Sequence, residues 1–143
     1  MRIELHKQND TETLINIWYT GSIQAHDFIN QEYWLSQKDA MKNKYFPMAE
    51  TYVIYNQAKI AGFVSMVENY LAALFIDTAY QRSGYGKELL DFIKTHKTKI
   101  TLKVYKENTS ATRFYEKNGF KIVETLVDEH TDHEEYLMEW KKS

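Results

Sequence analysis

The chain has 143 residues, no cysteine and a formal net charge of −2. A length of this order suits one domain with a single core, here residues 1–143, and the small net charge leaves no broad basic face for nucleic acid. The missing cysteines exclude disulfides, thiolate nucleophiles and cysteine metal sites, and the apolar share of 43% predicts a packed fold rather than disorder.

Arg2 to His6 alternates apolar and polar residues and reads as a first strand. No apolar leader follows Met1 and no long apolar run occurs, so the expectation is a cytoplasmic protein with no membrane partner. Asn9 or Asp10 can cap a helix, with Glu12 in capping-box spacing from Asn9, and Leu14, Ile17 and Trp18 follow at helical spacing. A second helix is predicted from about Asn30 to about Lys44, ending before Phe46-Pro47. Thr51 to Tyr55 and Ile60 to Val67 read as a hairpin around Asn56-Gln57-Ala58-Lys59. Leu71 to Ile76 is a strongly apolar central strand. Gly84 to His96 reads as an amphipathic helix and Ile100 to Tyr105 as a strand. Thr109 to Asn118 reads as a short helix ended by Gly119. Phe120 to Leu126 and Tyr136 to Trp140 are the last strands. A strand such as Tyr136 to Trp140 at an edge offers pairing between chains, or its aromatics are core; a monomer and a homodimer both stay open.

The segment richest in information is Gln81-Arg82-Ser83-Gly84-Tyr85-Gly86-Lys87. It lies between the apolar strand and a helix. Two glycines let backbone approach a ligand closely, and the unpaired N–H groups of a helix start face anionic oxygens. Arg82 and Lys87 add positive charge. A bare turn and helix cap is the alternative. A Walker loop is absent, and the dinucleotide fingerprint fails because Leu89 stands where a third small residue is needed.

The element order β, α, α, β, β, β, α, β, α, β, β resembles the GNAT (Gcn5-related) N-acetyltransferase superfamily over essentially the whole chain. Gln81 to Gly86 matches the superfamily's Gln/Arg-x-x-Gly-x-Gly/Ala signature. Asn108 to Ala111, Phe114-Tyr115 and Asn118-Gly119-Phe120 match its next helix and strand. Ile17-Trp18, Ala25 to Ile29 and Tyr33-Trp34 are similar to small bacterial members of the YiaC and YjaB type. The resemblance implies an α/β (α+β) acyl-CoA N-acyltransferase fold, with a mixed, mostly antiparallel sheet of about seven strands and about four helices. It implies acetyl-CoA as co-substrate, no metal, and a primary amine as acceptor, either a protein lysine or a small molecule. It further implies that Leu74, Phe75 and Ile76 offer backbone groups to the pantetheine arm, and that Asn108 and Phe114 lie beside it. A non-catalytic acyl-CoA sensor is the rival from another class.

Acetyl transfer needs a neutral amine, a stabilised carbonyl oxygen and a proton for the departing thiolate. Tyr115 is the candidate acid: it follows Asn108 by two helical turns, and a phenol with a reference pKa of about 10 is protonated at neutral pH. The alternative is a buried tyrosine with its hydroxyl tied to backbone. Glu68 is the candidate base, or else a solvated carboxylate at a strand end. His26, Phe28, Tyr33 and Tyr70 are expected around the acceptor, with His26 alternatively a packing residue. His130 to Glu135 carries two histidines and several carboxylates; a solvated acidic loop that favours a cationic acceptor is expected over a metal site.

Overall fold

In the computed structural model, which describes residues 2–143, seven segments form strands: β1 (Arg2–Leu5), β2 (Glu50–Asn56), β3 (Lys59–Val67), β4 (Tyr70–Ile76), β5 (Lys99–Tyr105), β6 (Lys121–Val127) and β7 (Glu134–Lys141). They make one sheet in the order β1-β2-β3-β4-β5-β7-β6. All neighbours are antiparallel except β4 and β5. The helices are α1 (Thr11–Ala25), α2 (Gln31–Ser36), α3 (Lys38–Ala40), α4 (Phe46–Met48), α5 (Tyr85–His96) and α6 (Thr109–Lys117). This is the expected mixed sheet with four principal helical regions.

Two apolar layers cover the sheet. Leu89, Leu90 and Ile93 of α5 and Tyr115 of α6 pack with Ile54, Val64, Leu102 and Met138 on one face. Leu14, Ile17 and Trp18 of α1 and Trp34 of α2 pack with Val53, Phe63, Ala73 and Tyr105 on the other. Residues of the inner strands alternate between the layers, as the pleat requires, except where a bulge interrupts it.

Three local readings need correction. The Asn9–Glu12 capping box does not form: Gln8–Asp10 makes a 3₁₀ turn, Asp10 precedes α1, and its carboxylate instead accepts the Lys7 N–H at 3.3 Å. The second helical region does not end before Pro47. It passes through a π-helical turn (Met41–Tyr45) into α4, where the proline sits in the first turn and needs no N–H partner. Tyr136 to Trp140 is not an edge strand, because β7 lies between β5 and β6, and β6 forms that edge. The final hairpin places β7 back beside β5.

The feature that positions the site is the junction of β4 and β5. Their pairing is confined to Tyr70 and Thr101, with the Thr101 N–H donating to the Asn69 carbonyl at 2.9 Å. Beyond that rung the strands diverge. A bulge accompanies the divergence: Met66 pairs with Leu71 and Ser65 with Ala73, so Ala72 is an extra residue on β4. The bulge shifts the alternation, and Leu71, Leu74 and Ile76 face the α5/α6 layer while Ala73 and Phe75 face the α1/α2 layer.

Candidate active site

The gap between β4 and β5 opens into a cavity of about 930 Å³ lined by residues from both layers. Its base is the bulged strand, Leu71 to Ile76. Gly21 of α1 lets the helix lie close on this strand; a Cβ there would come within 2.7 Å of the Phe75 ring.

At the open end of β4, the Asp77 carboxylate accepts the Ala79 N–H at 2.9 Å and shapes a 3₁₀ turn (Thr78–Tyr80). The Gln81 side-chain amide donates to the Ile76 carbonyl at 3.3 Å and ties the next turn to the strand end. Arg82 and Gly84 are both left-handed, at φ +63° and +86°. Two such residues so close together turn successive N–H groups toward one side, the geometry of an anion-binding nest. The first amide at the start of α5 to find a backbone acceptor is that of Glu88, on Gly84 (3.0 Å). A Cβ on Gly84 would meet nothing within 4 Å, so the space above the turn is open. The turn therefore fits the diphosphate of coenzyme A: it is accessible, donor-rich and at a helix N-terminus.

Gln81, Arg82, Gly84, Tyr85, Gly86 and Lys87 line the cavity with Leu74, Phe75 and Ile76, and Ser83 does not. Lys87 is committed to Asp91, one helical turn on, at 2.6 Å. Gly86 lies under the Phe114 ring, where a Cβ would sit 3.3 Å from Cζ.

The opposite wall is α6. Asn108 caps it, its side-chain oxygen accepting the Ala111 N–H at 3.2 Å. Its amide nitrogen faces His26 Nε2 at 3.4 Å. Phe114 and Tyr115 complete the wall. Tyr115 is 8% exposed, and among the described residues its hydroxyl has no hydrogen-bond partner. The alternative of a phenol tied to backbone is therefore not what the structure contains. Burial, with a smaller contribution from Tyr70, pushes its pKa up, which keeps the proton on the oxygen.

On the α1/α2 face, His26 lines the cavity and sits in an aromatic box. It stacks on Trp34 at 5.1 Å and meets Phe28 and Tyr105 edge-on at 5.8 and 5.1 Å. Burial, opposed by the Ser22 backbone, lowers its pKa to about 4, so it is neutral at pH 7. Phe28, Tyr33 and Tyr70 are not in the cavity wall but border it. Burial raises the pKa of both Tyr33 and Tyr70, and the charges of Asp128 and Glu135 raise them further. The two phenols and two carboxylates are thus neighbours. Tyr105 donates to Asp128, which holds the β6–β7 loop against β5.

The structure does not bring Glu68 to the cavity. It lies exposed in the β3–β4 turn at φ +55°, away from the lining residues. Sequence reasoning missed Ala72, Trp34, Tyr80 and Tyr105 as lining residues, and placed Glu135 only in an acidic loop. Glu135 is the second residue of β7 and lines the cavity. The alternation with Tyr136, Met138 and Trp140 was the available signal.

Comparison with known proteins agrees with this geometry. Residues 47–122, over half of the chain, match the acetyltransferase (GNAT) domain family. The chain is 28% identical over 135 residues to the peptidyl-lysine N-acetyltransferase YiaC of Escherichia coli K12, covering 94% of this chain and 92% of that protein. Its structure superposes on the solution structure of apo YjaB from Escherichia coli with a TM-score of 0.86 at 25% identity, over 99% and 98% of the two chains. It also superposes on the PaiA N-acetyltransferase of Thermoplasma acidophilum, solved in complex with coenzyme A, with a TM-score of 0.76 at 24% identity over 99% of both chains. With a left-handed donor turn, a splayed β4–β5 pair and this match in hand, the chain belongs to the GNAT acetyltransferase family.

Proposed function

We propose that residues 1–143 act as one domain that moves an acetyl group from acetyl-CoA directly to the side-chain amine of a lysine in a polypeptide. The observation that carries the reading is the Tyr115 hydroxyl: it is protonated, unpaired among the described residues, and set in the wall of a cavity whose mouth is a donor-rich turn. Acetyl-CoA supplies an electrophilic thioester carbonyl and a thiolate leaving group. The amides of residues 82–87 hold the diphosphate, the free backbone edge of β4 beyond Tyr70 aligns the pantetheine, and Asn108 closes over it from α6. Tyr115 gives its proton to the sulfur. The bulge at Ala72 turns backbone toward the gap, where an N–H can polarise the carbonyl oxygen. No enzyme-bound acyl group is needed, and the chain has no cysteine to carry one on a thiol. Lysine is favoured as acceptor by the naming of YiaC and by the carboxylates at the α1/α2 mouth.

The test is an acceptor screen with isotope-labelled acetyl-CoA, read by mass spectrometry on lysine peptides, polyamines and other small amines. Transfer to peptide lysines is expected. Transfer only to small amines would replace the acceptor, and transfer to none with retained coenzyme A binding would favour a sensor. Tyr115→Phe should bind coenzyme A as the native protein does and lose about a hundredfold in kcat. Unchanged kcat would remove Tyr115 as the acid.

A further inference from the structure

We propose that Glu135 is the base that docks the acceptor's ammonium group and takes its proton before transfer. This rests on the acetyltransferase reading above and adds the residue and the side of the sheet from which the acceptor arrives. Three carboxylates line the cavity: Asp27, Glu107 and Glu135. Asp27 and Glu107 are exposed, and Glu107 lies 3.8 Å from His133. Glu135 is half-buried and, among the described residues, has no salt-bridge partner.

Its place in the sheet decides the role. Glu135 pairs with Tyr105 across β5 and β7, and Tyr105 belongs to the α1/α2 layer. Its neighbours Tyr136 and Met138 belong to the α5/α6 layer, as Tyr115 does. The carboxylate and the phenol therefore line one cavity from opposite faces of the sheet. An amine entering from the α1/α2 face meets the carboxylate first and the carbonyl next. The sulfur stays on the α6 side.

The proton count closes. Glu135 takes one proton from R–NH₃⁺ and leaves a neutral amine. The C–N bond forms and the C–S bond breaks as Tyr115 protonates the sulfur. The surplus proton on the new amide nitrogen passes to the Tyr115 phenolate through water, and Glu135 releases its proton to solvent. Burial of Glu135, then the charge of Asp128, raises its proton affinity above that of an ordinary carboxylate, with Lys103 opposing, and this suits a proton acceptor. The titratable groups that face it are Tyr33 from α2, Tyr70 from β4, Lys103 and Tyr105 from β5, and Asp128 from the β6–β7 loop.

The experiment compares the native chain with Glu135→Gln and Glu135→Asp on a synthetic peptide carrying one lysine, from about pH 6 to about pH 9.5, with coenzyme A binding measured by calorimetry alongside. Glu135→Gln should bind coenzyme A normally and lose about a hundredfold in kcat/KM near neutrality. The loss should shrink as pH rises toward the lysine reference pKa of about 10.4, because free amine is then supplied by solvent. Glu135→Asp should retain part of the activity. Native rates for Glu135→Gln, or a loss of the same size at every pH, would overturn the assignment. If the native chain itself acetylates no amine, the function proposed above fails and this role fails with it.

Discussion

Asn108 has its side-chain oxygen engaged by the Ala111 N–H, so its amide nitrogen is what meets His26. That nitrogen only donates, so in this pairing His26 Nε2 offers its lone pair. A histidine with a pKa near 4 is uncharged throughout the neutral range. His26 thus holds a residue of the cavity wall, and its Nε2 is not free to serve as a base. The folded-state pKa lies below the reference value of 6.5, so the unfolded chain binds a proton first as pH falls. The stability tied to neutral His26 is complete above about pH 6.5 and is lost as pH drops toward about 4, for a total of up to about 3 kcal/mol. Urea midpoints measured across that window should fall more steeply for the native chain than for His26→Phe. Parallel curves would show that His26 does not titrate as described.

Between elements, β3 lies close on β4 at Gly62, where an added Cβ would lie 2.6 Å from the Phe75 carbonyl oxygen and 2.5 Å from Ile76 Cδ1. Because one of those atoms is backbone, Gly62→Ala must push the strands apart. It should cost about 1–3 kcal/mol and distort the wall that carries Phe75 and Ile76, read as a lower melting temperature together with weaker coenzyme A binding. Retained stability and binding would mean the strands yield freely. Periodicity made the elements themselves legible: every strand was foreseen within a residue or two, and the Gln81–Lys87 turn was identified by its glycines and charges. The bulge was not legible, since Leu71-Ala72-Ala73-Leu74 reads as continuous apolar strand and only the pairing with Ser65 and Met66 reveals the extra residue. The position of Glu68 was misjudged for a related reason, because a strand-end carboxylate beside β4 in sequence points wherever the left-handed turn sends it. The order β5-β7-β6 depends on a long-range pairing that local pattern does not encode.

Over the molecule as a whole, strands β4, β5 and β7 and both helical layers line one opening. Among the described residues, no helix is long and apolar enough to cross a membrane. A ligand that fills such an opening only when the chain is folded stabilises it by mass action, by about 2.7 kcal/mol at a hundredfold excess over Kd. Coenzyme A should therefore raise the melting temperature by several degrees, roughly 4–8 °C for each kcal/mol in a domain near 100 residues and less in a larger one, while adenosine lacking the diphosphate should raise it far less. Equal shifts would mean the turn at Arg82–Lys87 is not the anchor. Contact between copies through the sheet would have to use β1 or β6, where Val123 and Val127 are more than half exposed, rather than β7.

On the function proposed above, the splayed strands would make the cavity a passage reached from both helical layers. Cofactor and acceptor would then not queue at one entrance, and a spent carrier would leave without waiting for the modified chain. A single molecule joining the two, a lysine side chain tethered to the coenzyme's sulfur, would thread the passage and hold by both ends.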